Sequence, residues 1–123
     1  MNIYADESFY KDEYLLDRAA VITTAYAYFF REASSIIDAY TFGNIDPDNV
    51  PETVKMCCCE IAESIQSRDK QLLESGGVQS ESVSGWSKTY SSSNDIQTAF
   101  EASCKYIVYK WLAGSGLLYS GVK

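Results

Sequence analysis

The fold is decided by the stretch Pro51-Glu52-Thr53-Val54-Lys55-Met56-Cys57-Cys58-Cys59-Glu60-Ile61-Ala62-Glu63-Ser64-Ile65. Its small and apolar residues recur at steps of three and four, which predicts a long helix over about 50–74. The predicted buried stripe consists of Val54, Cys57, Cys58, Ile61, Ala62 and Ile65. The predicted solvent-facing side consists of Lys55, Glu60, Glu63 and Arg68. Asn49 or Asp48 is the expected N-cap, with Pro51 in the first turn. The small side chains of the stripe would let a neighbouring helix approach closely.

Similar patterns on either side of this helix predict two further long helices. The first runs over 22–41, with Thr23 or Thr24 as its cap and Gly43 suited to a left-handed residue after its end. The second runs over 94–113. The predicted buried residues are Tyr26, Phe29, Ala33, Ile36, Ile37 and Tyr40 in the first helix, and Ile96, Phe100, Cys104, Ile107 and Trp111 in the second, where Ala99 and Ser103 thicken the stripe.

Residues 6–17 predict a short N-terminal helix that lies across the body of the domain. Asp6 gives it an acidic, cap-like start, and Phe9, Tyr10 and Leu15 can share one apolar stripe. Asp17-Arg18 is the expected break before the next element. The sequence therefore predicts an all-α fold, a small bundle of three long helices with a short helix at its N-terminus.

Residues 76–92 interrupt the helical pattern with Gly76-Gly77-Val78-Gln79-Ser80-Glu81-Ser82-Val83-Ser84-Gly85-Trp86-Ser87-Lys88-Thr89-Tyr90-Ser91-Ser92. Glycine, serine and β-branched residues dominate here and strong helix formers are nearly absent, so we expect an extended arm or a β-like hairpin loop. A long non-helical insertion in a small helical domain is a functional suspect.

Residues 114–123 are expected to form a C-terminal docking tail, because Gly114-Ser115-Gly116 ends the last helix and the apolar residues beyond it are too few to fold alone. Packing of this tail back onto its own domain is the open alternative. The predicted organisation is a helical domain over 1–113, with the arm inserted, followed by the tail.

The totals exclude several classes of protein. A length of 123 residues favours one domain, and no apolar run approaches the ~20 residues that a membrane-spanning helix needs. The first residues lack the pattern of a signal peptide, so we expect a protein made in a cytoplasm. Ten basic and 17 acidic residues give a net charge of −7 without a basic cluster, which argues against tight nucleic-acid binding. Ten tyrosines favour interfaces.

No catalytic constellation is present in the sequence. The chain has no histidine, which excludes Ser-His-Asp and Cys-His arrangements, and it has no phosphate-binding glycine loop. Glu60 and Glu63 lie one helical turn apart, a spacing more typical of a solvated face than of a metal site. The four cysteines lack zinc-site spacing and are expected to be small buried apolar residues. We therefore expect no enzyme activity, no cofactor and no metal.

Four groups of residues, taken in order, resemble one known family. They are Ile3-Tyr4-Ala5 with Phe9-Tyr10 and Tyr14; Ala33-Ser34 through Ile37-Asp38 to Thr41-Phe42-Gly43-Asn44-Ile45; the helix with Cys58, Ala62 and Glu63; and the run from Ser80-Glu81 through Gly85-Trp86-Ser87 to Tyr90. In order and spacing the chain resembles the head–tail connector (adaptor) proteins of tailed bacteriophages and related prophages.

The resemblance implies a structural protein of the virion neck, made in the bacterial host cytoplasm. Such proteins assemble as a ring, typically dodecameric, beneath the portal protein of a filled capsid. The ring extends the DNA channel used in viral genome packaging, lets DNA pass without specific binding, and meets a stopper or tail-completion protein. It implies no membrane contact.

In this family the arm contributes to contacts within the neck, and the C-terminal tail docks on the portal. By position, the resemblance implies a subunit or neck interface at Val78, Glu81, Val83, Trp86, Lys88 and Tyr90, and portal docking at Leu117, Leu118, Tyr119 and Val122. A closed ring needs two different surfaces on one subunit, and arm and tail are two such surfaces.

Two other hypotheses remain open on the sequence. The acidic balance also suits a small binding module, immunity or antitoxin-like, that blocks a basic partner. A metal- or thiol-dependent enzyme would rest on the consecutive cysteines at 57–59 alone. Genes for portal and capsid proteins beside this one would favour the phage neck, and a gene for a basic toxin would favour the binding module.

Overall fold

The computed structural model describes residues 3–79 and 93–118, with side chains described over 3–74 and 95–118. Helix α1 spans Glu7–Phe9 and continues into a π-helical turn over Tyr10–Tyr14. Helix α2 spans Tyr26–Thr41, α3 spans Glu52–Gln79 and α4 spans Ser93–Leu112. The predicted all-helical class is confirmed for the described residues. Helix α3 contacts both α2 and α4, and the π-helical turn also lies against it.

Helix α3 is central because, around residues 57–59, other segments cover more than half of its circumference. All six residues of the predicted stripe are buried, and Cys59, outside that stripe, is buried as well. Successive helical residues point about 100° apart, so three consecutive buried residues need neighbours around more than half of the helix. The Sγ atom of Cys58 lies 3.6 Å from the Ser34 hydroxyl of α2. Cysteine is small enough to allow this close packing.

Helix α3 begins differently from its prediction. The carbonyl of Pro51 accepts the N–H groups of Val54 and Lys55 at 3.1 and 3.2 Å, so Pro51 precedes the helix and Glu52 opens it. The predicted caps are used elsewhere, because a turn closed by Asp46 holds this segment. Its carboxylate accepts the N–H of Asp48 at 3.0 Å, and its carbonyl accepts that of Asn49 at 3.0 Å.

Helix α2 starts at Tyr26, four residues after the predicted start. The N–H groups of Val21 and Ile22 donate to the hydroxyl of Tyr10, each at 3.0 Å, which fastens this segment to the N-terminal turn. Ala25 then takes a left-handed conformation with φ of 55°, and neither predicted threonine cap is used. Ile22 is fully buried. The segment before α2 is therefore held against the core as a loop.

The buried face of α2 is rotated from the predicted one. Ala33 and Ile37 are buried as expected, and the other buried residues are Phe30, Ser34 and Thr41, whereas Tyr26, Phe29, Ile36 and Tyr40 are half-buried at its edges. The two buried hydroxyls are satisfied within the helix, since Ser34 donates to the carbonyl of Phe30 at 2.7 Å and Thr41 to that of Ile37 at 2.9 Å.

The end of α2 matches its prediction. Gly43 is left-handed with φ of 73°, and its N–H donates to the carbonyl of Asp38 at 3.2 Å. Phe42 is also left-handed, with φ of 57°, although its side chain is 57% exposed. The turn thus places a large aromatic side chain in solvent.

The N-terminal segment is fastened at both ends. Asp6 accepts the N–H of Phe9 at 2.9 Å, so the predicted cap is confirmed. Tyr10, Tyr14 and Leu15 are buried, while Phe9 is half-buried. After them, Leu16 and Asp17 take left-handed conformations. The guanidinium of Arg18 donates to the carbonyls of Leu15 and Tyr14 and caps the end of the turn.

Helix α4 runs antiparallel to α3, since Trp111 meets Glu60 and Arg68 lies over the ring of Phe100. Ile96, Phe100, Cys104 and Ile107 are buried as predicted, Trp111 is half-buried, and Val108 and Leu112 are also buried. Ala99 and Ser103 are exposed, so the prediction that they thicken the stripe is wrong. They line an open groove with Ser64 and Ser67 of α3.

Candidate interaction surfaces

Glu63 is the centre of a polar network that the sequence did not indicate. Its carboxylate accepts the hydroxyls of Tyr10 at 2.8 Å and Tyr14 at 3.0 Å. The Tyr10 hydroxyl also accepts two backbone N–H groups of the segment before α2. Burial, followed by the charge of Glu63, raises the pKa of Tyr14, which keeps its hydroxyl a donor. The network joins the N-terminal turn, this segment and α3.

Glu60 has the same kind of role towards α4. It accepts the indole N–H of Trp111 at 2.8 Å, and the Nζ atom of Lys110 lies 2.7 Å from its carboxylate. The prediction that Glu60 and Glu63 form part of a solvated face is therefore wrong. Both carboxylates are half-buried and hydrogen-bonded to aromatic donors from other segments.

Thiol and metal chemistry have little support among the described residues. All four cysteines are free and buried, as predicted. Burial raises the pKa of Cys104 to about 11 and that of Cys58 to about 12, so the reactive thiolate is scarce near neutral pH. Over the described ranges, no three cysteine, aspartate or glutamate side chains are grouped to hold a metal ion.

The outer face of α4 carries an exposed stripe. It consists of Ala102, Lys105, Tyr106, Tyr109 and Ala113, which repeat at steps of three and four along the side opposite the core. The side chain of Tyr106 is 66% exposed and that of Tyr109 is 48% exposed. The Nζ atom of Lys110 lies 5.5 Å from the ring centre of Tyr106. We call this set the α4 stripe.

A second surface is an open groove at the N-terminal end of the chain, with a volume of about 610 Å³. Buried Tyr4, Ala5 and Phe30 line its floor, and its walls include Ile3, Phe9 and Val50, of which Ile3 is 48% exposed. Asp6, Glu7, Asp48 and Lys55 also line it. We call this site the acidic groove, because three carboxylates stand against one ammonium group.

The chain matches no protein-family model, no curated protein and no solved structure that it was compared with. Function therefore rests on the residues themselves. Within the described ranges, no helix has both the length and the apolar character required to cross a membrane.

The predicted arm is mostly outside the described residues. Helix α3 continues to Gln79, so the prediction that the non-helical arm begins at residue 76 is wrong. Each glycine weakens a helix by about 1 kcal/mol, a cost that a long helix already formed can absorb. The backbone of Val78 is helical, and the other five arm residues, Glu81, Val83, Trp86, Lys88 and Tyr90, lie outside the described residues.

The predicted tail is described in part. Leu117 and Leu118 are half-buried and pack against the core, while Tyr119 and Val122 lie outside the described residues. The hydroxyl of Ser115 accepts the N–H of Leu117 at 3.1 Å and donates to the carbonyl of Leu112 at 2.7 Å, which turns the chain back. At its first two apolar residues the tail therefore contacts its own domain.

Sequence reasoning missed the α4 stripe because it followed the buried side of that helix. The signal was present, since Tyr106 and Tyr109 are three residues apart on the opposite face. The acidic groove had no comparable signal, because its lining comes from α1, α2, the loop before α3 and α3 itself.

Proposed function

We propose that this chain is a structural assembly protein of a bacteriophage neck, as its resemblance to the head–tail connector family implies. It forms a ring, typically dodecameric in that family, that joins the portal to the stopper or tail and extends the DNA channel. The observation that carries the proposal is the α4 stripe, an exposed pair of tyrosines on a helix whose other face is already in the core. Tyrosine supplies large contact area with a polar tip, which suits a protein interface.

The arrangement of the core supports an assembly role without catalysis. Among the described side chains, each buried nitrogen and oxygen atom has a hydrogen-bond partner, so none is left pointing at a missing ligand. The half-buried carboxylates are held by aromatic donors, and the thiols are protonated. Among the described residues, the candidate sites for other molecules are therefore the α4 stripe and the acidic groove.

The charge balance supports a channel in which DNA slides. A net charge of −7 gives little attraction for phosphates, whereas basic residues would hold them electrostatically. The proposal assigns the neck contacts to the α4 stripe and to the arm residues, Trp86 first. It assigns portal docking to the tail from Tyr119 onward, because Leu117 and Leu118 already contact their own core.

Cryo-electron microscopy of particles from the phage or prophage that encodes the chain tests the proposal. We expect a ring of copies on the portal axis at the neck. Absence of the protein from purified particles would refute a structural role. Residues 119–123 can then be deleted, with the matched replacement of the same five residues by glycine and serine as a control for length. We expect both variants to fold and neither to dock on the portal.

The acidic groove supports a second candidate, a small module that blocks a basic partner. Asp48 beside apolar walls would receive a lysine or arginine side chain with apolar neighbours, and Asp6 and Glu7 add negative charge nearby. The neighbouring genes separate the two proposals, since portal and capsid genes support the neck and a gene for a basic toxin supports the blocking module.

A further inference from the structure

We propose that the α4 stripe of one copy docks into the acidic groove of a second copy, so that copies join head to tail. This inference deepens the proposed function and rests on it for the ring, but its test uses the isolated protein. One surface carries tyrosine rings and a lysine, and the other has apolar walls and carboxylates.

The α4 stripe has the form of a helix that enters a groove. Its five residues follow the i, i+3, i+4, i+7 spacing with which an amphipathic helix presents anchors to a partner. Tyr106 and Tyr109 are the large anchors, and Ala102 and Ala113 place small side chains at the two ends of the stripe. Within the described residues, Lys105 forms no ion pair, so its charge is free for a partner.

The acidic groove has the complementary features. Ile3, Phe9 and Val50 offer apolar contact for tyrosine rings, and the volume of about 610 Å³ lies in the range of pockets that bury drug-sized ligands. Glu7 is already paired with Lys11 at 2.6 Å, but Asp48 forms no ion pair among the described residues. Asp48 therefore remains for Lys105, and the carboxylates of the rim can accept the tyrosine hydroxyls.

A copy cannot fill its own groove. The groove lining extends over residues from Ile3 to Lys55, whereas the stripe lies within 102–113. The groove floor and the inner side of α4 belong to one buried cluster, which fixes their separation. The occupant must come from another molecule. Because the two surfaces differ, each added copy leaves one stripe and one groove unfilled, the condition for a ring or a filament.

Sedimentation of the purified full chain against concentration tests the docking. We expect the wild type to form oligomers larger than dimers as its concentration rises, and these oligomers to dissociate as the salt concentration is raised. Tyr106→Ala should weaken self-association about 30-fold or more, as loss of a central aromatic anchor does. Lys105→Glu and Asp48→Lys should each weaken it about tenfold or more, because each places like charges together. Asp12→Lys is the matched control, since it reverses an exposed carboxylate outside the groove and should behave as wild type.

Mixtures of variants identify the two surfaces. Lys105→Glu mixed with Asp48→Lys should grow again, because each stripe then finds a groove of opposite charge. Tyr106→Ala mixed with Asp48→Lys should stop at heterodimers, because the mixture contains one working pair of surfaces. Circular dichroism should give the same melting temperature for these exposed-site variants.

Three results would overturn the docking: a wild type that stays monomeric at the highest soluble concentration, Asp48→Lys that assembles like wild type, or a charge-reversed mixture that does not grow. An Asp48→Lys variant that assembles beside a defective Tyr106→Ala variant would mean that two stripes meet each other. The neck assignment is decided separately by the particle image, so the failure of one is distinguishable from the failure of the other.

Discussion

The hydroxyl of Tyr10 is the atom whose removal tests the network most directly. Tyr10→Phe keeps the ring, which is fully buried and packs near Tyr14 and Phe30 with centroid distances of 5.7 and 5.9 Å. It removes one donor to Glu63 and the shared acceptor of two backbone N–H groups. The loss is therefore mainly polar, because the aromatic ring stays in place.

The matched variant Tyr14→Phe isolates the backbone part of this loss. Each substitution removes one hydroxyl that donates to the Glu63 carboxylate, a bond worth about 1.5–3 kcal/mol. Tyr10→Phe additionally leaves the N–H of Ile22 buried without its acceptor, at a cost of about 1–3 kcal/mol. The second N–H belongs to Val21, which is 42% exposed, so water can replace its acceptor. We expect Tyr10→Phe to be more destabilising than Tyr14→Phe by about 1–3 kcal/mol.

Urea unfolding followed by far-ultraviolet circular dichroism measures both variants. The midpoints should differ while the slopes stay equal, which identifies a change in stability rather than in the exposed surface. Equal free energies of unfolding for the two variants, or a larger loss in Tyr14→Phe, would refute the role assigned to the Tyr10 hydroxyl.

Two further predictions concern the backbone and the thiols. Gly43→Ala should destabilise the folded protein by about 1 kcal/mol, because φ is 73° and the added Cβ meets no neighbour, so only backbone strain acts. Thermal melts measure this loss. Gly114→Ala is the control, because Gly114 is equally open but not left-handed, and it should show no such loss. Stability should fall as pH rises from 9 towards 11, because burial raises the pKa of the Cys104 thiol from 9.0 to about 11 and the unfolded chain therefore releases this proton first. Burial raises the pKa of the other three cysteines as well, so Cys104→Ala should make the fall shallower without abolishing it, in urea titrations at each pH.

The sequence predicted best those features that depend on neighbours along the chain. The buried face of α3, the cap at Asp6 and the left-handed Gly43 each follow from residues within a few positions. Periodicity reports which side of a helix is apolar, and the caps report which residues satisfy free N–H groups or adopt positive φ. These features would form in many folds of this class.

The sequence could not predict features decided by contacts between distant segments. The segment before α2 is held by the hydroxyl of Tyr10, and the hydrogen bonds of Glu63 come from tyrosines 53 and 49 positions away in the sequence. Ala99 and Ser103 fit the apolar pattern of α4 but face an open groove, because α3 presents Ser64 and Ser67 there. At Leu117 and Leu118 the tail packs on its own domain, the alternative that the sequence had left open.

The position of α3 explains where the two candidate interaction surfaces lie. Its small cysteine-rich turn lets α2, α4 and the N-terminal segment approach together, so a modest set of apolar residues closes the core. The N-terminal segment and α4 each bury one side in that core and expose the other side to solvent. The first bears carboxylates around an apolar groove, and the second bears tyrosines and a lysine. One central helix thus gives the chain two unlike surfaces, which is what head-to-tail assembly requires.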